Sequence, residues 1–279
     1  MSIDVLIPTC GRPAALAVTL CSLLSQTWRE FRVIVSDQTD GPHVADAGEV
    51  RAAWRVLQAQ GNPVEFHHHL PNRGMAEQRQ FLLEQSRTPF VLYLDDDVIL
   101  EAGVLERLLR AIRNERCGFV GAALTGLSYL HDVSPQEQHI EFWNGPVQPD
   151  LVQPHSPAWN RYKLHNAANV YHLERRLALP PGEYRTYKVA CIGGCVLYDA
   201  AALRALGAFE FWRDLPPRHC GEDVLAQLRV MARFGGCGLL PSGVYHLELP
   251  TTIPDRSANA PLLLPVLSGG NDVRSRRLA

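Results

Sequence analysis

The sequence predicts an α/β fold in which a mainly parallel central sheet is flanked by helices. Two observations predict it: short apolar runs alternate with helical patterns through the first 125 residues, and polar residues follow several of those runs. A chain of 279 residues with 46% hydrophobic content can also bury a large core. The alternation stops near Thr125 and resumes after Tyr187, so we expect an irregular insertion within the fold.

The apolar periodicity gives the order of the elements. We predict strands at residues 3–8, 32–37, 64–69, 90–94 and 119–123, and a further strand at 189–198 around a Gly193-Gly194 break. Four leucines after Pro13 form one helical face, and a second apolar face lies within residues 104–112. Two more helices are expected at residues 199–206 and 222–233. This alternation is typical of βαβ units, whose strands run parallel.

The expected insertion or lid, residues 126–187, is rich in Pro, His, Asn and aromatic residues. The side chains of Trp143, Trp159, Tyr162 and Tyr171 argue against complete disorder. We therefore divide the chain into residues 1–125, this insertion, residues 188–250, and a C-terminal tail at 251–279. The part of the tail after Ser268 is expected to be loose.

The charge balance excludes some classes of partner. Lys and Arg number 27 and Asp and Glu 29, so no sustained basic field exists to hold nucleic acid, and we expect no nucleic-acid partner. The first residues do not resemble a secretory signal, and the nearest apolar stretch, residues 261–267, is far shorter than the roughly 20 residues that cross a bilayer. We expect no transmembrane segment and a cytoplasmic location. Peripheral contact with the inner membrane face and assembly into a homo-oligomer are left open.

Three consecutive acids carry the strongest chemical signal. The apolar strand at residues 90–94 runs directly into Asp95, Asp96 and Asp97. Carboxylates that close repel one another and raise one another's pKa unless a cation lies among them. Hard oxygen ligands favour Mg²⁺ or Mn²⁺, so the run predicts a divalent metal site. The alternative is a solvated turn before a helix, whose positive end also favours acids.

Polar side chains also follow the other predicted strands. In an open parallel sheet, ligands bind outside the carboxyl ends of the strands. Basic side chains at this rim suit phosphates, and the others suit a base and a ribose. Each of them taken alone could equally be a turn residue or a surface charge. The candidates are Pro8, Thr9, Arg12, Asp37, Arg73 and Arg79.

Histidines offer two further candidates for metal ligands. The run His67, His68 and His69 ends an alternating stretch in which successive side chains point to opposite faces, which favours a solvated strand end over a metal site. His246 follows the last apolar strand and is either a structural residue or an additional metal ligand.

Seven short motifs occur in the order typical of one enzyme family. On these motifs the sequence resembles the family 2 glycosyltransferases of the GT-A fold, whose central sheet is Rossmann-like. The resemblance covers residues 1–125 and 188–247. Its motifs are Ile7-Pro8-Thr9 with Arg12, residues 22–27, Ser36-Asp37, Asn72-Arg73-Gly74, Leu94-Asp95-Asp96-Asp97, Gly193-Gly194 and Gly221-Glu222-Asp223.

The resemblance implies roles for the donor-side residues. Thr9 and Asp37 would contact the nucleotide base, which is often uracil in this family. Asp95 would reach the ribose or the sugar, and Asp97 would bind the metal as the last acid of the DxD motif. Asp96 is assigned to donor binding without a defined role. Arg79 would lie near the nucleotide, although the usual Ala-Arg-Asn wording reads Gln78-Arg79-Gln80 here. The second strand also departs from the usual Asp-Asp-Gly-Ser wording, at Ser36 and Gln38.

The same resemblance makes Asp223 the general base and Glu222 its neighbour in the catalytic pair. Both carboxylates open a helix, where free N–H groups orient them, and both could equally be helix caps. His246 would join Asp97 at the metal.

These roles describe a metal-dependent, inverting transfer of a sugar from a nucleotide-diphosphate donor, with a UDP-sugar favoured. The acceptor would be a hydroxyl of a saccharide, a lipid-linked molecule or another compound. Residues 1–125 would bind the donor, and residues 188–250 would supply the base and the acceptor side. Aromatic residues of the insertion and Trp212 would either stack on a sugar or pack in the protein. The alternatives are a sugar-phosphate nucleotidyltransferase and a non-catalytic nucleotide-sugar-binding protein.

Overall fold

An eight-stranded sheet forms the centre of the protein. The computed structural model describes residues 2–267. The strands of this sheet are β1 (Ile3–Thr9), β2 (Phe31–Asp37), β3 (Val64–His68), β4 (Phe90–Leu94), β6 (Phe119–Gly121), β7 (Arg185–Tyr187), β8 (Cys195–Asp199) and β9 (Gly236–Leu240). Two further short strands, β5 (Val98–Leu100) and β10 (Val244–His246), pair with each other.

Helices cover both faces of the sheet, and two groups of buried apolar side chains fill the space between the layers. The helices are α1 (Pro13–Leu23), α2 (Gly48–Ala59), α3 (Met75–Gln85), α4 (Val104–Glu115), α5 (Asn169–Leu177), α6 (Ala200–Ala205), α7 (Glu222–Phe234) and α8 (Ala260–Leu263). On α4, for example, Leu105, Leu108 and Ile112 recur at helical spacing and are almost fully buried.

The strand order in the sheet is β3-β2-β1-β4-β8-β6-β9-β7. The first four strands of this order are mutually parallel, whereas β8 is antiparallel to both of its neighbours. The predicted α/β fold with a mainly parallel sheet flanked by helices is therefore confirmed. Because β1, β2, β3 and β4 are parallel, their carboxyl ends meet at one rim, where the acidic run begins.

The two-stranded ribbon formed by β5 and β10 lies beside this rim. Its antiparallel pairing places His246 opposite Val98, one residue after the acidic run. The backbone N–H of Leu247 then donates to the carbonyl of Asp97 at 2.8 Å. The ribbon therefore joins residues that lie about 150 positions apart in the sequence.

Two predicted strands are shorter in the structure. The strand expected at residues 119–123 ends at Gly121, and the strand expected at 189–198 begins only at Cys195 and ends at Asp199. The preceding loop is instead held by Gln227, whose amide accepts from the Ile192 N–H at 2.8 Å and donates to the Ile192 carbonyl at 2.7 Å. Gly194 has φ of +75°, which ends the strand pairing where the Gly193-Gly194 break was expected.

Residues 126–187 consist mainly of irregular chain and short 3₁₀ turns, as expected, but they also contain α5 and β7. Strand β7 pairs with β9 at the end of the sheet, and the segment contributes Leu164, Val170 and Leu173 to the core. Trp143 and Trp159 pack against the cores as partly buried side chains, which favours the packing role considered for them. The expected looseness after Ser268 lies outside the described residues.

A buried acid ties three parts of the N-terminal half together. The Asp4 carboxylate, on β1, is fully buried and accepts two hydrogen bonds from Arg32 of β2, at 3.0 and 2.8 Å. It also accepts from the Ser86 hydroxyl at 2.8 Å and from the Arg87 N–H at 3.2 Å. Burial alone would raise the pKa of Asp4, but the bonds from Arg32 and Ser86 outweigh it and hold this pKa below its ordinary value.

None of the helices within residues 2–267 is both long enough and apolar enough to span a membrane. The predicted histidine strand end is confirmed for His67 and His68, which end β3. His69 follows the strand, stacks on Phe81 and bonds to Glu77 through Nε2 at 2.8 Å.

Candidate active site

A cavity of about 260 Å³ opens at the carboxyl rim of the parallel strands. Residues 247–259, here called the C-terminal strap, run along one side of it. The cavity brings together eight of the predicted site residues with several that were not predicted. Its lining residues are Pro8, Thr9, Cys10, Arg12, Met75, Arg79, Asp95, Asp96, Asp97, His246, Leu249, Thr251, Thr252 and Arg256.

The first two acids of the run differ in exposure. The Asp95 side chain is 34% exposed, and its backbone N–H is held by the Gly194 carbonyl at 2.9 Å. Asp96 is 6% exposed and accepts a 2.6 Å hydrogen bond from the Thr9 hydroxyl. Burial raises the pKa of Asp96 to about 6, although the bond from Thr9 opposes this rise. Asp96 thus connects β4 to β1, which gives a structural role to the acid whose function was undefined.

Asp97 is the most heavily paired acid of the run. Its Oδ2 accepts from Arg12 Nη1 at 2.7 Å and lies 3.4 Å from His246 Nε2. Burial would raise the pKa of Asp97, but His246 and Arg12 outweigh it and lower this pKa. The hydrogen bond between His246 and Asp97 in turn raises the pKa of His246. Arg12 also donates to the carbonyl of Pro250, so one guanidinium joins the acidic run to the C-terminal strap.

The predicted catalytic pair opens α7. Gly221, with φ of +72°, precedes the helix and lies against Asn259, so a larger residue there would be strained and would clash. Glu222 is 4% exposed and forms an ion pair with Arg79, from Nε to Oε1 at 3.0 Å. Asp223 is more exposed, and its Oδ1 accepts only from the Val224 N–H, at 2.8 Å.

The environment of Asp223 suits a base that works near neutral pH. Burial and the neighbouring Glu222 charge raise the pKa of Asp223 to about 6, and the positive charge of Arg79 opposes that rise. A carboxylate with such a pKa is ionised at pH 7 and accepts a proton more readily than an ordinary aspartate.

The structure does not bring Asp37 to the cavity, so the predicted contact between this carboxylate and the base is not supported. Asp37 is fully buried and organises the loop that follows β2. Its Oδ1 accepts from the Thr39 N–H at 2.9 Å and from the Thr39 hydroxyl, and its Oδ2 accepts from the Val44 N–H at 2.8 Å. These three local bonds occupy most of the acceptor positions of the carboxylate, and the side chain does not line the cavity.

A second cavity of about 370 Å³ adjoins the first and shares Cys10, Met75 and Thr252 with it. Carboxamide side chains from three different loops or helices line it, those of Gln38, Asn72 and Gln78. Arg73 lines neither cavity, and its side chain is exposed between Asn72 and Gly74.

Sequence reasoning missed the strap residues of the site, Leu249, Thr251, Thr252 and Arg256. They lie in a segment without periodicity, part of which was assigned to a tail. The only local signal was the pair Thr251-Thr252 followed by Arg256, a few residues after the last strand.

Solved structures of S. aureus TarS share the fold. The structure of TarS 1–349 matches with a TM-score of 0.55 at 17% sequence identity, over 88% of this chain and 60% of that chain. A complex of TarS 1–349 with UDP-GlcNAc matches with a TM-score of 0.52 at 15% identity, over 91% of this chain and 60% of that one. The present chain therefore spans about 60% of the length of these TarS chains, and the GT-A fold predicted from the motifs is confirmed.

No curated protein sequence matches the chain significantly. The model of the family described as Glycosyl transferase family 2 matches residues 4–179. That match covers β1 to β6, most of the acid-bearing rim and α5. Since it extends over more than half of the sequence, the chain belongs to glycosyltransferase family 2.

Proposed function

We propose that the protein is a metal-dependent, inverting glycosyltransferase that moves a sugar from a nucleotide-diphosphate donor, preferably a UDP-sugar, to an acceptor hydroxyl. One observation carries the proposal: Arg79 contacts both Asp95, at the donor rim, and Glu222, beside the candidate base Asp223. This pair of contacts supports a donor group and a base that lie next to each other, which is the arrangement that group transfer between two bound molecules requires.

The two adjoining cavities suit the parts of such a donor. The first contains Arg12 and Arg256, whose guanidinium groups match phosphate oxygens, and the exposed part of Asp95, which suits sugar or ribose hydroxyls. The second is lined by three carboxamides. The Gln78 amide nitrogen donates to the Thr9 and Ser36 carbonyls and that of Gln38 to Glu77, which leaves the oxygens of these two side chains and the Asn72 amide nitrogen to pair with a nucleotide base. Among the fold relatives, TarS 1–349 has been solved with UDP and with UDP-GlcNAc, which supports a UDP-sugar.

The transfer step requires a base on the acceptor side. The Asp223 carboxylate takes the proton of the acceptor hydroxyl while that oxygen forms a bond to the anomeric carbon. The bond from this carbon to the diphosphate oxygen breaks at the same time, and the diphosphate leaves on the opposite face of the sugar. A single displacement of this kind inverts the anomeric configuration.

The atoms around Asp97 suit a divalent metal ion in part. Its carboxylate is a hard oxygen ligand and suits Mn²⁺ or Mg²⁺, which commonly take their other ligands from phosphate and water. Within residues 2–267, no group of three or more His, Cys, Asp or Glu side chains is arranged to hold a metal. Asp97 and His246 therefore form at most a two-residue site, and the ion would supply charge neutralisation for the leaving diphosphate.

Two contacts would compete with a metal ion at this site. Arg12 lies 2.7 Å from the Asp97 oxygen that faces His246, so its positive charge competes with the ion for that oxygen. His246 Nδ1 accepts from the Glu248 N–H at 3.1 Å, which leaves the hydrogen of the neutral ring on Nε2. Nε2 can bind a metal only if the ring hydrogen moves to Nδ1, which breaks the bond from the Glu248 N–H. Asp97 would therefore be the principal ligand, and His246 would bind only after this change.

A screen of UDP, GDP, dTDP and CDP sugars, with and without Mn²⁺, tests the function. We expect a UDP-sugar to raise the melting temperature most, because a ligand that binds only the folded state stabilises it. Mass spectrometry should detect free UDP and a glycosylated acceptor from a panel of saccharide and lipid-linked hydroxyl compounds. Nucleotide binding without turnover would favour a binding protein, and release of pyrophosphate from UTP and a sugar phosphate would favour a nucleotidyltransferase.

Substitution of Asp97 tests the metal site independently of turnover. Asp97→Asn should weaken Mn²⁺ binding by at least about tenfold, because the loss of one charged ligand from a two-residue site removes most of its attraction. Electron paramagnetic resonance of free Mn²⁺ measures this without a donor. His246→Ala should have a smaller effect, and Arg12→Gln should strengthen Mn²⁺ binding because a competing cation is removed. Asp132→Asn, an exposed acid, serves as the control. Equal Mn²⁺ affinity in Asp97→Asn and the parent would contradict the assignment.

A further inference from the structure

Arg79 is a buried cation between two sets of carboxylates. It lies on α3, is 6% exposed and is one of the residues that line the first cavity. Its Nε donates to Glu222 Oε1 at 3.0 Å, and its Nη2 donates to Asp95 Oδ1 at 3.3 Å. The side chain therefore connects the end of β4 with the beginning of α7.

Aromatic side chains restrict the position of Arg79. Its guanidinium lies over the ring of Tyr93, 5.4 Å from the ring centre, and the Tyr93 hydroxyl donates to the Arg79 carbonyl at 2.7 Å. Tyr93 in turn packs edge to face against Tyr198 and Phe209. With its position restricted in this way and its Nε and Nη2 committed to carboxylates, Arg79 is poorly placed to act mainly as a ligand for the nucleotide.

We propose that Arg79 is a positioning residue of the transfer reaction, which orients Glu222 beside the base Asp223, keeps that base ionised, and couples it to the donor contact Asp95. This inference rests on the proposed function, since it assigns Asp223 as the base. It differs from the role that the family resemblance implied for Arg79, a direct place near the nucleotide.

The charges around Asp223 come from several elements. Burial raises the pKa of Cys191 to about 12 and the pKa of Tyr198 well above its ordinary value, so both stay neutral near pH 7. Burial also raises the pKa of Cys220. Two charges act on the pKa of Asp223, that of Glu222, which raises it, and that of Arg79, which lowers it. Asp95 is a further acidic neighbour of Asp223.

Glu222 and Arg79 act on Asp223 in opposite directions. The negative Glu222 disfavours a second negative charge beside it, whereas the positive Arg79 favours that charge. If Arg79 is lost, two neighbouring acids compete for one proton, and the base is protonated at a higher pH. If Glu222 becomes neutral, the base stays ionised to a lower pH.

Three variants separate these effects: Glu222→Gln, Arg79→Gln and the double variant. The measurement is a ¹³C NMR titration of the aspartate carboxyl carbons without metal, with the Asp223 signal assigned from Asp223→Asn. We expect the Asp223 titration midpoint to fall by about one pH unit in Glu222→Gln and to rise by about 1–3 units in Arg79→Gln. One unit is a tenfold change in the ratio of ionised to protonated base.

The double variant allows the effect of Arg79 to be measured even if Arg79→Gln alone does not fold. Arg79→Gln leaves Glu222 buried without its cation and could fail to fold. In Glu222→Gln the buried Arg79 keeps Asp95 as a partner, and the double variant removes both members of the buried pair, leaving only the partly exposed Asp95 without its cation. The effect of Arg79 is therefore also read as the difference between these two, and the midpoint should be higher in the double variant. Arg161→Gln, which removes a paired arginine in the insertion, should leave the Asp223 midpoint unchanged.

A purely structural role would lower the melting temperature of the variants without moving the Asp223 midpoint, and that result would overturn the proposal. A midpoint that moves down on loss of Arg79 would overturn it as well. The acid limb of the pH profile for transfer should follow the NMR midpoint. Because the titration needs no turnover, a failure to find any sugar transfer would count against the proposed function and not against the coupling of Arg79, Glu222 and Asp223.

Discussion

Asp223→Asn should lower the rate of sugar transfer by about 10²- to 10⁴-fold and leave donor binding unchanged, because general-base catalysis contributes a factor of this size. The Asp223 carboxylate accepts only one hydrogen bond, from Val224 N–H, and an asparagine oxygen can accept the same bond. The variant should therefore fold like the parent, and its loss of rate should come from the missing base.

Initial rates at saturating donor, together with the donor-induced rise in melting temperature, check this expectation. The parent should also lose activity as the pH falls through about 6, since the ionised form of Asp223 is the active one and burial with the Glu222 charge raises its pKa to about 6. The exposed Asp214 offers a matched control, and Asp214→Asn should keep both the rate and the pH profile. If Asp223→Asn turned over at the parental rate, the base assignment would be wrong.

The largest expected effect on stability comes from Asp4→Asn, which should lower the free energy of unfolding by about 3 kcal/mol at pH 7. Removing one partner of a buried ion pair costs about 3–5 kcal/mol of stability. We expect a cost at the lower end of this range, because Arg32 keeps Glu65 as a second partner. Urea unfolding followed by circular dichroism measures the difference.

The effect of Asp4 should depend on pH. Its pKa in the folded protein lies below the ordinary value, so its stabilisation is present above the unfolded pKa and is lost as the pH falls through the folded pKa. The difference between the parent and Asp4→Asn should therefore shrink below about pH 4. Asp46→Asn removes a carboxylate from an ion pair with Arg51 in which both side chains are mostly exposed, and it should cost no more than about 1 kcal/mol. An equal cost for both variants would show that the Asp4 network does not stabilise the fold.

The parallel half of the sheet could be predicted because each strand and the polar residues at its end are adjacent in the sequence. The apolar run of β4 ends where the acids begin, and the predicted bounds of residues 90–94 match the observed strand. The meeting of Thr9, Arg12 and Asp97 at one rim could be predicted for the same reason, since a parallel sheet collects the carboxyl ends of its strands.

Other parts of the site depend on choices that a sequence pattern does not encode. Asp37 is at the predicted strand end, but its carboxylate accepts from nearby N–H groups of its own loop and not from the cavity. The pairing of Arg79 with Glu222 joins residues 143 positions apart and depends on how α3 packs beside α7. Motif reasoning identified both residues of that pair and missed their contact.

The C-terminal strap is fixed at both ends to parts of the proposed chemistry. At one end the Leu247 N–H binds the carbonyl of Asp97, and at the other the Cys220 N–H donates to Ala258 and the Cys220 carbonyl accepts from Ala260, just before the pair Glu222 and Asp223. Between the Arg12 contact at Pro250 and the bond at Ala258, residues 251–257 make no backbone–backbone hydrogen bond to the rest of the described chain, so we expect this span to govern the exchange rate of the proposed nucleotide donor.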